Sequence, residues 1–106
     1  MAPKEIIFSP NAEKEIKKLS KQDQSLVLDA LKKWRDGKTK PNIEKIKSQP
    51  DFFRLKAGHF RLVYYPLSPE RVVLLLIRNR KDAYQGLSSL PTKLDTALRK
   101  LRMVKR

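Results

Sequence analysis

Apolar positions along the chain change period at Asp51, and the change separates a helical half from a β half. Glu5–Phe8 is a short, mostly apolar run, read as a first strand. It stops at Ser9-Pro10, an N-cap serine with proline at the first helical position. The helix this starts, from Pro10 to Leu19, offers Ala12, Ile16 and Leu19 to a core. Ser20 reads as a second N-cap, with Asp23 three residues on completing an approximate capping box. Leu26, Val27, Ala30, Leu31 and Trp34 then form one stripe of an amphipathic helix, and Gly37 follows as its C-terminal stop. Residues 38–50, with Pro41 and Pro50, read as a polar connection from which Ile43 and Ile46 can dip inward.

Beyond Asp51 the pattern alternates. Phe53, Leu55 and Ala57 interleave with Arg54 and Lys56; Phe60, Leu62 and Tyr64 interleave with Arg61, Val63 and Tyr65. Gly58-His59 between them suits a two-residue type II′ hairpin turn, with glycine at the first turn position. That turn predicts a register placing Phe53 opposite Tyr64 and Leu55 opposite Leu62 on the buried face. Arg54 then falls opposite Val63, and Lys56 opposite Arg61, on the other face. Residues 66–70 are a turn, and the run Val72–Ile77 is apolar at every position, as in a central strand. After a loop over 86–91, Thr92 caps a last helix with Leu94, Ala97, Leu98 and Leu101 on one side. The expected architecture is a single α+β domain over residues 1–106. An N-terminal helical hairpin packs on one face of a small, antiparallel-rich sheet, and a C-terminal helix follows.

Composition narrows the partner. The chain carries 25 Lys and Arg against 11 Asp and Glu, a net charge of +14, with one His and no Cys. Without cysteine there is no disulfide scaffold, thiol nucleophile or Cys-ligated zinc, and one histidine builds no His-rich metal site. No cofactor or metal is expected. The longest apolar run is far short of the roughly 20 residues a membrane span needs, and the start, MAPKEIIF, lacks a secretory apolar segment. These features predict a cytoplasmic protein with no membrane partner. A charge this large destabilises the compact state by self-repulsion, and a polyanion offsets it. Basic residues crowd positions 32–47, Lys45 and Lys47 among them, and the tail from Lys93. Nucleic acid is the favoured partner; an acidic protein would exploit the same field.

Within this field, one cluster arises from geometry as well as abundance. Lys56 directly across from Arg61 costs stability, because like charges repel across a strand pair. Arg54 adds to the penalty, and Asp51 is the only acid between residues 51 and 69. Arg80 and Lys81, just past the apolar strand, can close the same face, with Tyr84 at its rim. Such a site suits cleavage of RNA by its own ribose 2′-OH, which needs neither protein nucleophile nor metal. It requires in-line orientation, stabilisation of the pentacoordinate phosphate and management of two protons. Guanidinium forks match phosphate oxygens, and Phe52, Tyr65 and Tyr84 are candidate stacking surfaces for splayed bases. His59, in the hairpin turn, reads as a solvated turn residue.

The stretch FFRLKAGHFRLVYYPLSPERVVLLLIRNRKDAYQGL resembles the hallmark region of the RelE/ParE toxin superfamily. The pattern is an R-L-x-x-G-x-[YF]-R hairpin, an apolar strand, and then R-[KR]-[DE]-x-Y. The resemblance implies the toxin of a type II toxin–antitoxin pair, held inactive by an acidic, RelB-like antitoxin. RelE-like members cut mRNA in the ribosomal A site, which would make the ribosome and mRNA partners; ParE-like members poison DNA gyrase without nuclease activity. By resemblance Arg61 is the transition-state arginine, and Arg80 the arginine at the leaving 5′ oxygen. Tyr84 is the tyrosine that stacks on or deprotonates the substrate nucleotide. Arg54 and Lys56 are basic residues of the preceding strand, and Phe52 stands where the best-known nucleases carry a further lysine. A RelE-like, metal-independent endoribonuclease is the expectation. A gyrase-binding toxin and a non-catalytic RNA-binding relative are the alternatives.

Overall fold

The computed structural model describes residues 2–82 and 85–104, with side chains described as far as Leu101. Strand β1 (Glu5–Phe8) leads into helix α1 (Pro10–Lys17) and helix α2 (Lys21–Arg35). Strands β2 (Ile43–Lys45), β3 (Phe53–Ala57), β4 (Phe60–Pro66) and β5 (Arg71–Asn79) follow, and helix α3 (Leu90–Val104) comes last. Both predicted N-caps form: Ser9 Oγ accepts from Ala12 N–H at 3.0 Å and Ser20 Oγ from Asp23 N–H at 3.1 Å. Such caps satisfy helix-end donors, typically for about 1 kcal/mol each. The last helix begins at Leu90, two residues before the expected Thr92 cap. Pro91 is accommodated there because first-turn N–H groups have no intrahelical partner.

The sheet order is β1-β5-β4-β3-β2. The β3–β4 hairpin has the predicted register, with Phe53 opposite Tyr64 and Lys56 opposite Arg61. Gly58 takes φ +60° while His59 keeps a negative φ, the combination a II′ turn requires. Two features differ from the expectation. Part of the supposed connection is a strand: β2 pairs antiparallel with β3, setting Glu44 opposite Arg54. And β1 pairs parallel with β5, so the sheet is mixed. Three residues give too short a run for alternation to show, and pairing across the chain leaves no local mark.

Two cores sandwich the sheet. Ala12, Val27, Leu31 and Trp34 from α1 and α2 meet Leu55, Leu62, Tyr64, Val72, Leu74 and Ile77 on one face. On the other, Leu90 and Ala97 of α3 join Ile46, Phe52, Val63, Val73, Leu75 and Leu76. Helices therefore cover both faces. The apolar run of β5 serves both cores through a bulge: Tyr64 pairs with Leu74 but Val63 pairs with Leu76. One extra residue in β5 puts Leu75 and Leu76 in the same core and moves every later side chain to the opposite face. Past the end of β1, α1 covers the β5 edge. Asn11 Nδ2 donates to the Leu75 carbonyl at 3.0 Å, and Ile77 N–H donates to Glu15 Oε1 at 2.6 Å.

Candidate anion-binding site

Where α3 ends its cover, the second face of the sheet is cationic. Opposed residues of an antiparallel pair share a face, and Lys56, Arg61 and Arg78 are opposed in turn across β3, β4 and β5. One step along the strands, Glu44, Arg54, Val63 and Leu76 form the neighbouring row. Its inner half, Val63 and Leu76, is buried under the α3 side. Its outer half opens into a polar depression of about 250 Å3 lined by Asn42, Glu44, Arg54, Lys56 and Arg61.

Arg54, only 7% exposed, is a wall of this depression rather than a mobile surface cation, and its Nη2 stands 3.7 Å from Glu44 Oε1. Lys56 is exposed. Arg61 is half-buried, and its Nη1 donates to the carbonyls of Gly58 (3.1 Å) and Phe60 (3.0 Å), folding the guanidinium against its own hairpin turn. The same turn places Arg80, because Arg80 N–H donates to the His59 carbonyl at 2.8 Å and ties the 3-10 turn Arg80–Asp82 to it. The hairpin thus brings Arg61 and Arg80 to adjacent carbonyls although they are distant in sequence. Arg80 and Lys81 are exposed. His59 points the other way, with Nε2 3.6 Å from Asp23 Oδ1 at the start of α2.

Several expected site residues sit elsewhere. Phe52 has the parity of Arg54 and Lys56, but its ring is 5% exposed within the second core, 5.5 Å from the Tyr65 ring. It packs against apolar neighbours and presents no open face to a base. Tyr65 is half-buried against the same core. Lys45 and Lys47 are exposed and line a second cleft beside the depression. Tyr84 lies outside the described residues.

Two residues of the site escape a sequence reading. Glu44 reaches it from the short strand β2. Arg78 joins the row only because of the bulge; unbroken alternation from Val72 would send it to the face covered by α1 and α2. Arg78 Nη2 lies 3.2 Å from Glu15 Oε2, while its buried Nε has no hydrogen-bond partner among the described residues. Among the described residues, no three His, Asp or Glu side chains stand together as a metal site would require, and no helix is long and apolar enough to cross a membrane.

Comparison with known proteins points to one family. Its model, described as the ParE toxin of the type II toxin–antitoxin system, parDE, matches residues 6–84, from β1 to the end of the site-bearing segment. No curated protein matches the chain.

Proposed function

The chain belongs to the ParE toxin family of type II toxin–antitoxin systems, and from its cationic sheet face, rather than from that membership, we propose that it arrests growth by cutting mRNA on the ribosome until its antitoxin neutralises it. Membership itself implies a cognate antitoxin. The nuclease reading rests on one observation: Lys56, Arg61 and Arg78 stand opposed in one row across β3, β4 and β5, next to the buried Arg54. Like charges set directly opposite one another are destabilising, and an anionic ligand reverses the penalty. Guanidinium forks are suited to the equatorial oxygens of a phosphate in transition.

In this reading the ribose 2′ oxygen attacks the adjacent phosphorus and the P–O5′ bond breaks, leaving a 2′,3′-cyclic phosphate and a 5′-hydroxyl. The 2′-OH proton departs as the new P–O bond forms, and O5′ takes up a proton as it leaves. Arg61 and Lys56 stabilise charge on the non-bridging oxygens. Arg80, held beside the same hairpin turn, serves the leaving oxygen. Tyr84 takes the stacking or proton-accepting role that the resemblance implies. The ribosome supplies the substrate in a strained, single-stranded form, and the +14 charge promotes encounter with it.

A gyrase-binding toxin is the second reading. It is favoured by the parDE description of the matched family and by the Arg61 guanidinium already donating to two hairpin carbonyls. Arg61→Ala and Arg80→Ala separate the readings. Under the first, each lowers cleavage of mRNA on translating ribosomes by about 10²–10³ and abolishes growth arrest, while the variants melt no lower than the parent protein. Wild-type protein that leaves ribosomal mRNA intact yet blocks DNA supercoiling, with both variants still toxic, establishes the second.

A further inference from the structure

A second cleft opens beside the cationic depression. It is lined by Glu44, Lys45, Ile46, Lys47, Ser48, Arg54 and Leu87 and encloses about 330 Å3, within the usual size range of ligand pockets. Glu44 and Arg54 line both, so the two spaces adjoin. Their chemistry differs. The depression is polar throughout, whereas the cleft adds carbon surface from Ile46 and Leu87. Nucleotides have the same division, with a charged phosphate at one end and a flat, half-apolar base at the other.

The cleft is also firmly built. Arg54 is nine-tenths buried, and Ile46 is 3% exposed. The turn carrying Ile46, Lys47 and Ser48 is closed by Ile46 N–H to Phe52 O (3.0 Å), Gln49 N–H to Ile46 O (3.1 Å) and Phe52 N–H to Gln49 O (2.9 Å). Leu87 enters from the far side, on the 3-10 turn Leu87–Ser89 that precedes α3. Its walls are drawn from three separate parts of the chain.

We propose that this cleft holds the base of the nucleotide adjoining the phosphate bound at Lys56 and Arg61, and that Glu44 makes it discriminate against uracil. The assignment rests on the nucleic-acid reading above and adds a specificity pocket to it. An ionised carboxylate only accepts hydrogen bonds. It therefore accepts from the exocyclic amine of cytosine, adenine or guanine, whereas uracil offers on that edge a single N3–H flanked by two carbonyl oxygens that the carboxylate repels. Arg54, nine-tenths buried, holds the Glu44 carboxylate at the cleft, with Nη2 3.7 Å from Glu44 Oε1.

Cytidine and uridine 5′-monophosphates differ by an amine against a carbonyl and serve as the probes. Titrating each into the intact protein, followed by amide NMR, should shift Ile46, Ser48 and Leu87 together with Lys56 and Arg61. The cytidine nucleotide should bind about 5-fold or more tighter. Glu44→Gln, whose amide both donates and accepts, should bring the two affinities within about 2-fold, and Ser48→Trp should abolish the shifts at Ile46 and Leu87. Equal binding of both nucleotides, or shifts confined to Lys56 and Arg61, overturns the proposal. Its failure is distinct from failure of the nuclease reading. Loss of mRNA cleavage with base-selective binding intact would overturn only the reaction, and cleavage without base selectivity would overturn only the pocket.

Discussion

Tyr64 lies on the helix-covered face with its ring 5.0 Å from Trp34 and 5.7 Å from Phe53, and burial pushes its phenol above the ordinary 10.0. In the unfolded chain the phenol ionises first, so its contribution to stability is complete below about pH 10 and is lost as pH rises through the folded value. The loss proceeds at no more than about 1.4 kcal/mol per pH unit. Tyr64→Phe should accordingly show a shallower fall in melting temperature between pH 9 and 11.5; identical slopes would place the alkaline sensitivity in other groups. The ring was legible as a core residue because Gly58 fixed the hairpin register and parity did the rest. Phe52 was not. Parity put it on the cationic face correctly, but nothing local shows where the second core ends and the open patch begins.

Helices were the most readable elements, since caps and apolar stripes are local signals, and both N-caps formed where serine preceded the first turn. Strand β5 was the least readable. Six consecutive apolar residues conceal the bulge, which is visible only in its pairing with β4 and which decides where Arg78 goes. The cover that α1 lays over the β5 edge was equally hidden, because it depends on an acid, Glu15, on the first helix. That residue both accepts from Ile77 N–H and faces Arg78. Glu15→Ala should lower unfolding free energy by about 1–3 kcal/mol, as expected when a partly buried donor loses its partner. Glu15→Gln, which keeps an acceptor oxygen, should lose distinctly less in urea unfolding. Equal losses would assign the whole effect to the charge pair with Arg78.

For the molecule as a whole, the change from helical to alternating periodicity correctly indicated an α+β fold, while its assembly order lay in a non-local pairing. Strand β1, near the start of the chain, finds its partner only in β5, some 66 residues later. During synthesis, therefore, the first strand waits. The sheet lacks the strand that joins β1 to β4, and the row through Arg61 lacks Arg78, until β5 has emerged. At about 5–20 residues per second, the 66 residues that separate Glu5 from Arg71 take roughly 3–13 s to translate. Nascent chains halted after residue 70 should be digested completely under mild proteolysis, whereas finished chains yield a resistant domain; a resistant fragment from the halted chains would contradict this order. A toxin built this way lacks its finished sheet for most of its own synthesis. A waiting antitoxin meets it at the moment it becomes dangerous.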